Sequence, residues 1–126
     1  MQLYLIVFLG AGLGGACRHG VNQFAARLLG VGFPYGTLAV NVLGSLIMGL
    51  LISYFALRGE VSQHLKLFLT TGILGGFTTF SAFSLDVAVL YERGETAAAA
   101  TYAVASVGLS ILAVFAGMWL LRQLPS

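Results

Sequence analysis

Residues 75–86 read GGFTTFSAFSLD and lie inside an otherwise almost unbroken apolar run. Gly72, Gly75 and Gly76 weaken a helix there, and Thr78 and Thr79 are poor helix formers, so the backbone is expected to unwind between about residues 75 and 79. Unwound backbone at membrane depth is tolerated only where it is buried in protein or faces water, and the carbonyls it frees can bind a cation. The alternative is a merely flexible, closely packed helix. After the glycines, Phe80 and Phe83 stand three apart on one helix face, with Ser81 and Ser84 three apart beside them. Ring edges are positive, so such a face can hold an anion without a formal charge while hydroxyls replace part of its water. Taken alone, phenylalanines at this spacing are as readily core or lipid-facing residues.

The surroundings of this stretch set the class of protein. Of 126 residues, 59% are hydrophobic and 8% charged, and the mean hydropathy is +0.97, whereas a soluble domain carries about a quarter charged residues. Apolar runs near residues 3–26, 35–57, 66–91 and 97–121 are each long enough to span a bilayer, and RLLGVGFPYG, ALRGEVSQHLK and ERGET separate them. The expected fold is an all-α membrane protein: a single transmembrane domain over residues 1–126, with four helices and a third helix broken near its middle. The segment LYLIVFLGAGLGGAC has no basic residue before it and no cleavage pattern after it, so it is taken as the first span rather than a removable signal.

Charge leaves the orientation open. Arg58, Lys66 and Arg122 fall on the side of the termini, and Arg27 and Arg93 on the other, with Arg18 deeper in the first span. Either the loops are too short to show a bias, or the chain inserts both ways and pairs with an inverted copy. A net charge of +2 on scattered carriers gives no nucleic-acid surface, and the lone Cys17 can form no internal disulfide. Two His, one Cys and four acids at these positions assemble no catalytic group, so an enzyme is not expected.

Polar residues recur at helical spacing inside three spans. In the first, Gly10, Gly12 and Gly15 have dinucleotide-loop spacing, but no acid occurs before Glu60 to bind a ribose. Gly10 and Gly14 are better read as a face for close helix packing. Arg18 and Asn22 continue that face, and Arg18 either snorkels to headgroups or draws an anion into an aqueous vestibule. In the second span Thr37, Asn41, Ser45 and Gly49 form one stripe, whose mid-span amide either joins helices or lines a hydrated path. Tyr102, Ser106 and Ser110 repeat this geometry in the fourth.

GGFTTFSAFSLD resembles the signature of the Fluc (CrcB) family of fluoride channels. The resemblance extends over the whole chain through GAGLGGACRHG, PYGTLAVNVLGS and the Tyr102 segment with its spaced serines. It implies passive fluoride efflux, and so fluoride resistance, in the bacterial cytoplasmic (inner) membrane. It also implies an antiparallel, dual-topology homodimer with two pores, each lined by both chains. Phe80 of one subunit and Phe83 of the other would flank fluoride. Asn41 would hydrogen-bond nearby, Ser81, Ser84 and Thr37 would belong to the pore, and Tyr102, Ser106 and Ser110 to a polar track. Arg18 would be the vestibule's basic residue, and backbone carbonyls of Gly75 and Thr78 would hold a structural sodium ion at the dimer axis. The chain departs from the family at Ala82, where a second hydroxyl is usual. The rival reading is a proton-coupled exporter like the small multidrug-resistance transporters. Those need an acid in the first span, and here Asp86, toward the end of the third, is the one intraspan acid.

Overall fold

The computed structural model describes residues 1–124 and is all-helical. Four stretches are long and apolar enough to cross a membrane: Gln2–Leu29, Tyr35–Arg58, Gln63–Glu92 and Thr96–Arg122. The first, second and fourth are single helices, α1 (Gln2–Leu29), α2 (Tyr35–Arg58) and α6 (Thr96–Arg122). The third is composite: α3 (Gln63–Leu67), a π-helical segment (Phe68–Leu74), α4 (Gly75–Phe77) and α5 (Phe80–Glu92). Gly30 (φ 82°), Gly59 (φ 74°) and Gly94 (φ 80°) stand between the spans, where a left-handed residue reverses the chain without a Cβ penalty.

Because lipid tails are as apolar as leucine, helices in a membrane associate where small residues let backbones meet. A Cβ on Gly10 of α1 would lie 2.9 Å from both the Gly72 Cα and the Phe68 carbonyl oxygen. One on Gly14 would strike the Ile73 carbonyl, and one on Gly76 the Ala11 backbone. Thus Gly10 and Gly14 do form a close-packing face, and it seats the first half of the third span. On the other side of the molecule, α2 and α6 meet through Gly49 against Val114 and Gly117 against Leu46. After the break, α5 leans on α6 instead, through Phe83, Leu90, Ala99 and Tyr102. The two halves of the third span therefore serve different neighbours, and the break is where the allegiance changes.

That break is narrower than its glycines suggest. Gly75 has helical angles (φ −61°, ψ −38°), and only Thr78 (φ −91°, ψ 159°) and Thr79 (φ −156°, ψ 127°) are extended. Here the glycines act through missing side chains, since Gly76 must admit Ala11. The π-helical segment just before was not expected from sequence. Within it the Thr70 hydroxyl donates to the Lys66 carbonyl (2.7 Å) and so competes with the amide that would close an ordinary α turn.

Candidate functional site at the helix break

A continuous helix would pair the Thr79 amide with the Gly75 carbonyl, Phe80 with Gly76, and Ala82 with Thr78. Side chains intercept all three pairings. The Thr79 amide donates to Asn41 Oδ1 (2.8 Å), while Asn41 Nδ2 donates back to the Thr79 carbonyl (3.0 Å). The Gly76 carbonyl accepts from Arg18 Nε (3.1 Å). The Ala82 amide donates to Thr79 Oγ1 (3.2 Å), which makes Thr79 the N-cap of α5. Gly75 and Thr78 are the carbonyls whose helical donors are diverted and which receive no replacement in these pairings. The Thr78 side chain turns back, its hydroxyl donating to Leu74 (2.9 Å), and its methyl packs where Gly44 of α2 leaves room.

Beside the break an open groove of about 260 Å³ is lined by Asn41 and Ser45 of α2, by Thr79, Phe80 and Phe83, and by Ser106 and Ser110 of α6. The Ser106 and Ser110 hydroxyls are buried and have no hydrogen-bond partner among the described residues. Phe80 and Phe83 have ring centroids 5.4 Å apart at 54°, yet they differ in surroundings. Phe83 is 8% exposed, packed against Tyr102 (5.3 Å), whereas Phe80 is 75% exposed and projects away from the chain. Helix α5 begins at this groove, with Phe80 in its lining, at the end of the helix where partial positive charge accumulates.

A second groove of about 390 Å³ opens at the α1–α2 turn and is lined by Asn22, Thr37, Ala82, Asp86 and Arg93 among others. Tyr102, fully buried, touches a lining residue of each groove: its ring packs on Phe83 of the first, and its hydroxyl donates to Asp86 Oδ2 of the second (3.0 Å). Phe33 packs edge-on against its ring (5.4 Å, 86°). At the rim Arg93 donates to the Gly32 carbonyl (2.8 Å) and pairs with Glu95 (2.7 Å).

The residues singled out in the sequence thus fall into several places. Asn41, Phe80, Phe83, Ser106, Ser110 and Thr78 gather at the first groove. Thr37 faces the second, one turn along the stripe, and Tyr102 touches a lining residue of each. Ser81 is exposed beside the Thr79 hydroxyl (3.3 Å), and Ser84 opens on another face near Tyr91 and Thr96. Arg18 reaches the break itself. Sequence reasoning missed Asp86 as Tyr102's acceptor and Thr79 as the cap. The Thr79-x-x-Ala82 spacing gave no signal, because a capping box would carry Glu or Gln at its fourth position.

This is the architecture of a multi-pass membrane protein whose third span is opened at mid-depth and held open by side chains from its neighbours. Over residues 5–118 the chain matches the family described as CrcB-like protein, Camphor Resistance (CrcB), and it belongs to that family. It is 58% identical over 121 residues to the "Fluoride-specific ion channel FluC" of Rhodopseudomonas palustris, covering 96% of this chain and 98% of that one. A protein of Nitrobacter hamburgensis named "Fluoride-specific ion channel FluC 2" is 55% identical over the same length and the same shares. The FluC of Methylobacterium nodulans is 60% identical over 119 residues, 94% of this chain and 95% of that one.

Proposed function

We infer that this chain is a fluoride-selective ion channel of the bacterial inner membrane, letting fluoride leave the cytoplasm down its gradient and so conferring fluoride resistance. The observation that carries the reading is the groove at the break. There the carboxamide of Asn41, two unpartnered serine hydroxyls, the aromatic pair and the start of α5 converge without a fixed charge of either sign in the lining. A small, strongly hydrated anion needs donors to replace its water, and it needs them weak enough to let it go. Ring edges and hydroxyls meet both demands. Arg18 adds a positive charge beside the break, where a vestibule would lead in. Tyr102, Ser106 and Ser110 form the track past Phe83, with Thr37 beyond it, and Ser81 and Ser84 flank α5.

The chain works as an inverted homodimer with two pores, each completed by the partner. Supporting this are the near balance of basic residues on the two sides, the openness of the groove, and a Phe80 ring that finds no cover in its own chain. Inverted repeats are a common way of building a midplane pathway, and a chain with no internal repeat takes its second half from another copy. A sodium ion fits the break: the Gly75 and Thr78 carbonyls of both copies would hold it, because their helical donors are diverted. Bound there, it would neutralise those carbonyls and tie the two breaks together.

Purified protein in potassium-loaded liposomes, triggered with valinomycin, should release fluoride rapidly to an electrode while chloride stays inside. Retention of fluoride, or equal loss of both halides, would end this reading.

A further inference from the structure

Arg18 is the one basic residue well inside a span, and an anion-attracting charge needs no particular hydrogen bond. Yet its Nε, rather than solvent, meets the carbonyl of Gly76 at 3.1 Å across 58 residues of sequence. That carbonyl would take the Phe80 amide if the helix ran on, and closing that bond would carry the helix through Thr78 and Thr79. A buried carbonyl left without any donor costs free energy, so a substitute donor is what allows the break to persist.

We propose that Arg18 is a positioning residue, whose Nε–H caps Gly76 and thereby keeps the third span broken, and that this cap outweighs its charge in supporting ion passage. The second half of that statement rests on the channel reading above. The first half does not.

Side-chain chemistry separates the two roles. Glutamine carries its Nε2 on Cδ, the same place in the side chain as arginine Nε, so Arg18→Gln keeps the donor and loses the charge. Lysine has a methylene there, so Arg18→Lys keeps the charge and moves the donor one atom out. Arg18→Met keeps neither. The carbonyl can be read directly, because Gly-Phe occurs only at Gly32–Phe33 and Gly76–Phe77. Labelling glycine with carbonyl ¹³C and phenylalanine with ¹⁵N therefore gives two carbon–nitrogen correlations. One reports the cap. The other, at Gly32, reports a carbonyl held by Arg93 and serves as the folded reference.

The proposal expects the Gly76 carbonyl of Arg18→Gln to stay near the wild-type position and those of Arg18→Lys and Arg18→Met to move, with Gly32 fixed throughout. Fluoride efflux should fall about tenfold or more for Lys and Met, as loss of the hydrogen bond implies, and severalfold less than that for Gln, which loses the vestibule charge alone. An unmoved Gly76 signal in Arg18→Met would overturn it. So would wild-type efflux in Arg18→Lys with Arg18→Gln as slow as Met. A wild-type chain that passes no fluoride would sink the channel reading, while the carbonyl signal would still decide the cap.

Discussion

Asn41 and Thr79 are joined by two hydrogen bonds, 2.8 Å from the Thr79 amide and 3.0 Å to its carbonyl, so a side-chain amide from α2 stands in for a strand partner at mid-membrane. The second Nδ2 hydrogen takes no part in either bond. Asn41→Ala removes both bonds and should cost about 2–3 kcal/mol, read as a lower unfolding temperature in detergent. Fluoride efflux should fall with it. Unchanged stability would mean the clamp contributes nothing.

Gly76 owes its identity to packing. Since a Cβ there would collide with the Ala11 backbone, Gly76→Ala must push α4 away from α1. Backbone cannot yield as a flexible side chain does, and the expected cost is about 3 kcal/mol. Size-exclusion profiles and thermal unfolding should show a loosened or aggregated protein.

Phe80 and Phe83 should separate stability from conduction. Phe83 fills the core under Tyr102, so Phe83→Ala should destabilise the chain by about 3–5 kcal/mol. Phe80 is exposed within its own chain. Phe80→Ile, which leaves the core of its own chain untouched, should therefore cost less stability than Phe83→Ala and still reduce fluoride efflux about tenfold or more, the scale of losing one favourable contact of about 1.4 kcal/mol in the transit barrier.

Tyr102 and Asp86 form a pair that a double-mutant cycle can weigh. Tyr102→Phe strips Asp86 of its donor and should cost about 1–3 kcal/mol. Adding Asp86→Asn should give less than the sum of the two single effects, with a coupling of about 1 kcal/mol. Additive unfolding energies would show that the bond carries no weight.

The spans were legible because each is a long apolar run bounded by charges or glycine; the structure extends them at most to Leu29 where residue 26 was expected, and back to Gln63 where 66 was. The break was legible as a place but not as a cause. Composition pointed to the glycines, whereas Asn41, Arg18 and Thr79 hold it open. Those residues come from other helices or from a cap without its usual partner, and no local pattern announces either. The π-helical segment was hidden as well, since nothing in FLTTGIL tells whether the Thr70 hydroxyl bonds the carbonyl four residues back or faces elsewhere. Asp86 stands 16 residues from Tyr102 on a different helix, and only the turn at Gly94 brings them together. The i+4 stripe Thr37–Asn41–Ser45–Gly49 was visible, but its members divide among two grooves and the α6 contact.

Mixed dimers of Phe80→Ile and Phe83→Ile test whether each fluoride pore is built from two chains. If each pore takes Phe80 from one chain and Phe83 from the other, a mixed dimer gathers both substitutions into one pore and leaves its second pore intact. Isolated by two different affinity tags and placed in liposomes, it should release fluoride at about half the wild-type rate, while either variant alone falls about tenfold or more. A mixed dimer as slow as its parents would mean that Phe80 and Phe83 of one pore do not come from different chains.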